Sequence, residues 1–276
     1  TQGYSSAASD VYKRQNLDLK IDDGEMVGII GNTGCGKSTF VRLIAGLIKS
    51  DSGKIIIDSD DITNKKFNKK ILRRKLGIVF QFPEMQLFEQ TIEKDIFFGL
   101  KQYKLTYDGK YKRAKEALEL LGLDFERIKD KSPLALSGGE KRKIAVAGIL
   151  VCKPKYLIFD EPIAGLDCNS RDSFMKLLLA LKQNGTTIII ISHNTDYLAE
   201  YVDRILVMDG GKIILDDKPN EIFNQTTLLN NLNIGVCNSK EIANLLNKNG
   251  FNIQSDILKY DDLLNSIISN IGVIND

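Results

Sequence analysis

The octapeptide Gly31-Asn32-Thr33-Gly34-Cys35-Gly36-Lys37-Ser38 constrains the fold of this chain more than any other stretch. It satisfies G-x-x-x-x-G-K-[ST], and a chance match in a chain of this length is on the order of one in a hundred. The context strengthens the reading. A short apolar run, residues 25–30, leads into it, and a helical pattern over residues 37–48 follows, with Phe40, Val41, Ile44, Leu47 and Ile48 on one face. A glycine-rich turn between a strand and a helix presents backbone N–H groups at a helix N-terminus, which is an anion nest. The expected nucleotide-binding residues are Gly31, Asn32, Thr33, Gly34, Cys35, Gly36, Lys37, Ser38 and Thr39. Lys37 reaches the β- and γ-phosphates, and the Ser38 hydroxyl ligates Mg²⁺.

Further apolar runs, residues 76–80, 156–159 and 186–191, alternate with helical patterns, the signature of a parallel sheet covered by helices. Each ends in polar residues at the carboxyl edge, where ligands bind in open α/β sheets. Asp160 and Glu161 follow one run, with Asp160 expected to hold Mg²⁺ and Glu161 to polarise an attacking water. Gln81 follows another and could touch the metal or the water. His193, the single histidine of the chain, follows a third, where an imidazole can contact a γ-phosphate. Asp167, just beyond the acid pair, suits a loop that contacts a second subunit or, more simply, a helix N-cap before Ser170.

Residues 88–150 read as wholly helical, a subdomain inserted in the core. Within it, Leu136-Ser137-Gly138-Gly139-Glu140 starts a helix continued by Lys141-Arg142-Lys143. Ser137, Gly138 and Gly139 suit gripping a phosphate held by a neighbouring subunit, and an ordinary Ser N-cap is the plainer reading. Asp209-Gly210-Gly211 between apolar runs signals a hairpin. After Pro219 strand signals stop, and residues 239–249 and 257–271 read as amphipathic helices of a small C-terminal extension, residues 221–276.

Lys and Arg number 38 against 36 acidic residues, so the net charge of +2 gives no electrostatic case for nucleic acid. No apolar run approaches the roughly 18 residues that span a bilayer, so a membrane role must come through partners. The four cysteines are scattered and pair with one histidine, which excludes an ordinary zinc site and fits a reducing cytosol. Cys35 lies beside Lys37 and a helix start, so its alkylation is expected to block nucleotide binding, with ATP protecting it. Residues 1–15 (TQGYSSAASDVYKRQ) lack apolar periodicity and are expected to be a non-native artefact segment, the alternative being a native flexible tail; the domain then covers residues 16–220.

With the phosphate loop, Gln81, Leu136 to Glu140, Asp160-Glu161, Asp167 and His193 all present in order, the chain resembles an ABC transporter nucleotide-binding subunit. More narrowly, Val79-Phe80-Gln81-Phe82-Pro83-Glu84-Met85-Gln86-Leu87-Phe88-Glu89 is similar to the ATPases of energy-coupling factor (ECF) transporters, and closest to the second of their two types. The resemblance implies an α/β fold: a P-loop NTPase (RecA-like), mostly parallel sheet core with an ABC-type antiparallel β element, the inserted helical subdomain and the C-terminal helices. It implies ATP and Mg²⁺ as ligands and ATP hydrolysis as the activity. It also implies a heterodimer with a homologous ATPase at the cytoplasmic face of the membrane, under a transmembrane coupling protein and a membrane substrate-binding protein that import vitamins or transition-metal ions. By the same likeness, Ser137 and Gly139 contact the γ-phosphate across the dimer, and the surface from Gln81 to Phe88 receives coupling helices.

Three features depart from that pattern. Ile163 replaces a small hydroxyl residue, and Cys168 stands where proline is common. The first strand and the aromatic residue that stacks on adenine are not recognisable, and neither Tyr4 nor Tyr12 is assigned that role. The alternative is a soluble ABC-type ATPase not coupled to transport. Members that act in DNA repair or translation usually carry a long coiled coil or a second ATPase domain, and this chain shows neither pattern.

Overall fold

The computed structural model describes residues 17–254 and 256–274; the expectations for residues 1–15, and for Tyr4 and Tyr12, lie outside them. The strands are β1 (Met26–Gly31), β2 (Ile56–Ile57), β3 (Asp60–Asp61), β4 (Leu76–Val79), β5 (Tyr156–Asp160), β6 (Thr187–Ile191), β7 (Arg204–Asp209) and β8 (Lys212–Asp217). Six of them form one sheet in the order β4-β5-β6-β1-β7-β8. All neighbours in it are parallel except β7 and β8, which are joined by the tight turn at Gly210 and Gly211.

Strands β1, β5, β6 and β7 are apolar at nearly every position because both faces of the sheet are covered there, whereas the edge strand β8 is largely exposed. Side chains alternate across it with period two. Met26, Ile30, Leu157, Phe159, Ile188 and Ile190 join one core, while Val27, Ile29, Ile158, Ile189 and Ile191 join the other. The second core is closed by α1 (Lys37–Ile44) through Phe40 and Val41, and by α2 (Lys69–Lys75) through its one buried residue, Leu72.

The first core takes in the helical subdomain. It comprises α3 (Ile92–Gly99), α4 (Tyr107–Glu119), α5 (Phe125–Ile128) and α6 (Gly138–Leu150). The C-terminal half of α6 buries Ile144, Ala145, Val146, Ala147 and Leu150, the all-round apolar pattern of a central helix, while its start is polar and exposed. After β5 come α7 (Cys168–Gln183) and, after β6, α8 (Thr195–Tyr201), which packs on β1 where Gly28 leaves room for Leu198.

The extension consists of α9 (Pro219–Asn224), α10 (Thr226–Asn231), α11 (Asn238–Lys248) and α12 (Tyr260–Ile274). Ile222, Phe223, Leu229, Cys237 and Leu258 belong to the main core, whereas Ala243, Ile253, Ile257 and Leu263 form a small cluster of their own.

The short β2–β3 hairpin is an antiparallel element outside the sheet, and charges pin it to the core. Asp58, in its turn, pairs with Lys155 and with Lys75, each at 2.8 Å. These two partners hold the Asp58 carboxyl down to about 2.

Phe159 is fully buried in β5 and meets Phe174 of α7 edge-to-face at 5.6 Å. Replacing it with alanine (Phe159→Ala) is expected to cost about 3–5 kcal/mol, the range for a buried aromatic truncation. Chemical denaturation would show this as a lower midpoint at an unchanged slope.

Candidate functional site

The register of the sheet brings the chemistry-bearing loops together. Val79, Phe159, Ile190 and Gly28 lie in one row across β4, β5, β6 and β1, and Asp160, Ile191 and Ile29 lie in the next. The residues that follow each strand therefore leave along a single edge: Gln81, Glu161, Ser192 with His193, and the phosphate loop.

At Gly31 a Cβ would stand 2.3 Å from the Met208 carbonyl oxygen and 2.7 Å from Cys35 Sγ, so only glycine fits where β1 turns into the loop. Gly34 (φ 83°) and Gly36 (φ 112°) take left-handed conformations, and Gly36 caps α1. Among the described residues, the amides of Gly34, Gly36, Lys37 and Ser38 have no acceptor. They form a ring of unpaired donors at a helix start, the chemistry of a phosphate cradle. Lys37 is 8% exposed, and its ammonium donates to the carbonyls of Gly31 and of Asn32, the latter at 2.9 Å. Asn32 donates through its side chain to the Leu232 carbonyl, tying the loop to the segment after α10.

Asp160 and Glu161 are half-buried, and burial pushes both carboxyls above the usual carboxylate range. The charges of Lys37, Arg42 and His193 oppose this at Asp160. At Glu161 the opposition comes from His193 and from hydrogen bonds. The His193 amide donates to Glu161 Oε1 at 2.8 Å, Ser192 Oγ donates to Oε2 at 3.4 Å, and the His193 ring Nε2 lies 3.7 Å from Oε1. Glu161 itself has φ 51°, a left-handed conformation that costs a non-glycine residue on the order of 1–3 kcal/mol. Its own amide is tied to the Ile191 carbonyl at 2.9 Å, which helps to hold it there.

The Asp160 carboxylate accepts no hydrogen bond among the described residues, a donor set left open for a cation. The Ser38 hydroxyl and the Gln81 amide oxygen, on neighbouring loops of the same edge, are donors of the same hard oxygen class, the type that suits Mg²⁺. Gln81 is exposed, immediately before Phe82, whose φ of 58° turns the chain sharply.

The remaining expected residues sit apart from this edge. Ser137 caps α6 in a capping box: its hydroxyl accepts from the Glu140 amide at 3.3 Å, and Glu140 Oε2 accepts from the Ser137 amide at 3.0 Å. Gly138 and Gly139 are exposed, and a Cβ on either would meet nothing within 4 Å. Asp167 caps α7 by accepting from the Ser170 amide at 3.0 Å. Among the described residues none of these four hydrogen-bonds to the phosphate loop or to the acid pair.

Residues 14–164 match the model of the ABC transporter family. The chain is 44% identical over 243 residues to the energy-coupling factor transporter ATP-binding protein EcfA2 of Clostridium perfringens, covering 88% of this chain and 85% of the relative. The chain belongs to the ABC transporter family, in its energy-coupling factor ATP-binding branch. The corresponding protein of Caldanaerobacter subterraneus is 41% identical over 255 residues, with 92% and 89% covered. Among solved structures, cbiO1 of Clostridium perfringens, described as part of the ABC transporter complex cbiONQ, aligns with a TM-score of 0.71 at 37% identity, covering 85% of this chain and 92% of that one. The ATP-binding cassette MJ0796, solved as a post-hydrolysis dimer with ADP and Pi, aligns at a TM-score of 0.66 and 29% identity, covering 75% and 90%. The fold is that of an ABC ATPase, and the chain is an ATPase that binds ATP.

Ser192 and Asn194 flank His193 and escape sequence reasoning. Ser192 Oγ accepts from the Asn194 amide at 3.0 Å while it faces Glu161, and Asn194 caps α8 by accepting from the Tyr197 amide at 3.1 Å. The pattern Ser-x-Asn before a helix is the signal that could have found them, since both types favour helix starts.

Cys35 is 6% exposed, whereas Cys168 is exposed. Iodoacetamide followed by mass spectrometry should label Cys168 at least about tenfold faster than Cys35. MgATP should slow the Cys35 reaction further and leave Cys168 unaffected.

Proposed function

We propose that this chain is one of two non-identical ATPases that together energise an ECF-type importer from the cytoplasmic face of the membrane. The observation that carries the two-subunit reading is the Gly138-Gly139 pair. Each glycine in a helix costs on the order of 1 kcal/mol relative to alanine. Nothing among the described residues requires that sacrifice, because a Cβ at either position would meet open space. Two bare amides at an exposed helix start fit close approach by an anion from outside the chain, the γ-phosphate of ATP held by the partner subunit.

In this reading the free amides of Gly34, Gly36, Lys37 and Ser38 take the phosphates of the chain's own nucleotide, with Asn32, Thr33, Cys35 and Thr39 completing the loop. The Lys37 ammonium exchanges the carbonyls of Gly31 and Asn32 for phosphate oxygens. Ser38, Asp160 and Gln81 would hold Mg²⁺, which supplies positive charge to the phosphate oxygens when bound. Glu161 orients and deprotonates the attacking water, and His193, fixed to Glu161 through its amide, reads the γ-phosphate. Asp167 lies at the partner interface.

Support for membrane coupling comes from the turn after Gln81. Phe82, Met85 and Phe88 are 50%, 84% and 62% exposed, a cluster of large apolar side chains on the short 3-10 helix Pro83–Gln86 and its flanks. Such a surface suits the short helices of a transmembrane coupling protein. The described residues include no helix long and apolar enough to cross a membrane, so contact with a membrane substrate-binding protein would pass through that coupling protein. Vitamins or transition-metal ions are the proposed cargo class, by likeness to the ECF relatives. The near-neutral charge balance supports no nucleic-acid partner.

Affinity purification of the tagged full-length protein from its host should recover a second ABC ATPase and an integral membrane protein; recovery of neither contradicts the coupled reading. Within the complex, Glu161→Gln should keep ATP binding and lower turnover by about 10²–10⁴-fold, the contribution of a general base. Because burial raises the Glu161 carboxyl, the group takes up its proton at a higher pH than an ordinary glutamate. Turnover should therefore fall on acidification while the pH is still above the usual glutamate value of about 4.3.

A further inference from the structure

Arg142 lies on α6, about one turn after the exposed glycines, yet its guanidinium crosses to the turn after β5. There it donates to three backbone carbonyls: Ala164 through Nη1 at 2.9 Å, and Pro162 and Glu161 through Nη2, the last at 3.5 Å. A carboxylate is at hand. The charge of Glu84 bears on the half-buried guanidinium and opposes the effect of burial on it. Arginine beside a carboxylate ordinarily takes it in a two-pronged pair. Here no such pair forms, and Glu84 Oε2 is buried without a hydrogen-bond partner among the described residues. The guanidinium is directed at the carbonyls of the Glu161 turn instead.

That turn needs holding. Glu161 is in a left-handed conformation that only a surrounding network can maintain. Its amide and its carboxylate are fixed from the β6 side, by Ile191, Ser192 and His193. From α6, the backbone from Glu161 to Ala164 is held by Arg142. We propose that Arg142 is a positioning residue for ATP hydrolysis: it holds the Glu161 carboxylate in register with the attacking water by gripping the backbone of the Glu161–Ala164 turn. Through α6, the same side chain ties this chain's own hydrolytic turn to the glycines that serve the partner's nucleotide. A planar fork with five donors can bridge three carbonyls, and a lysine ammonium, a single flexible point charge, cannot reproduce that geometry.

The inference rests on Glu161 acting on the water, so the test carries Glu161→Gln as a control. Steady-state turnover, ATP and ADP affinity, and thermal midpoint are measured for Arg142→Lys and Arg142→Gln in the full-length chain purified with its partners. Displacement of a reacting group by an ångström can cost about a hundredfold in rate. Both variants should accordingly lose at least about tenfold in kcat, with KM for ATP and ADP affinity within about threefold and the thermal midpoint nearly unchanged. Turnover within twofold of the parent overturns the inference while leaving the Glu161 assignment intact, provided Glu161→Gln is inactive. A parallel fall in kcat, nucleotide affinity and midpoint overturns it too, because that marks a purely structural role. Normal turnover in Glu161→Gln overturns the assignment of Glu161, and the inference falls with it.

Discussion

Parallel pairing of β1 between β6 and β7, and of β4 with β5 and β5 with β6, is the constraint on which the rest of this molecule depends. Parallel strands share one carboxyl edge, so the loops that follow β1, β4, β5 and β6 must emerge side by side. The residues 31–38, Gln81, 160–161 and 192–193 are far apart in the chain and adjacent in space for that reason alone. The central strands β1, β5 and β6 are apolar on both faces, and the two cores together supply the stability against which local strain can be maintained. The strain is visible at Glu161 and Phe82, both non-glycine residues with positive φ at the functional edge.

The electrostatics of the edge follow from that arrangement. Two half-buried acids raised by desolvation, an ammonium turned onto its own loop and a set of unpaired amides are all unfavourable when considered alone. In the proposed reading they are complementary to a polyanion and a divalent cation: the amides and Lys37 would face phosphates, and Asp160 would face the metal. A site that is under-satisfied by its own chain is pre-organised for charge brought from outside. Glu161 differs, being held from β6 by backbone and hydroxyl donors and from α6 by Arg142, so it is the part of the site already fixed in place.

Much of this was legible in the sequence because it rests on local rules. Continuous apolar runs marked the buried strands, and Asp209-Gly210-Gly211 marked the β7–β8 turn. Helix ends were less legible. The pattern over residues 37–48 extends beyond α1, which stops at Ile44 because Ala45 and the left-handed Gly46 end it. Within residues 88–150 the start of α4 was not marked: it begins at Tyr107 because Thr106 caps it by accepting from the Gly109 amide. The β2–β3 hairpin escaped notice because its strands are two residues each and its turn uses Asp58 and Ser59, not glycine. The basic helix α2 carries one buried residue and so no periodicity. For Ser137 and Asp167 both sequence readings share the same residues: each caps its helix, and a cap leaves the side chain at an exposed helix start. The contact of Arg142 with a turn some twenty residues ahead could not be read from spacing, because it depends on how α6 lies against the end of β5.

The central claim is that Ser137 to Gly139 serve a nucleotide other than the one held at Lys37. The direct measurement is photolabelling with 8-azido-ATP under trapping conditions in the assembled complex, resolved by polypeptide, with Ser137→Arg introduced in this chain. The account predicts that labelling of the partner ATPase is lost while labelling of this chain persists. Loss of labelling on this chain, with the partner's intact, would contradict it.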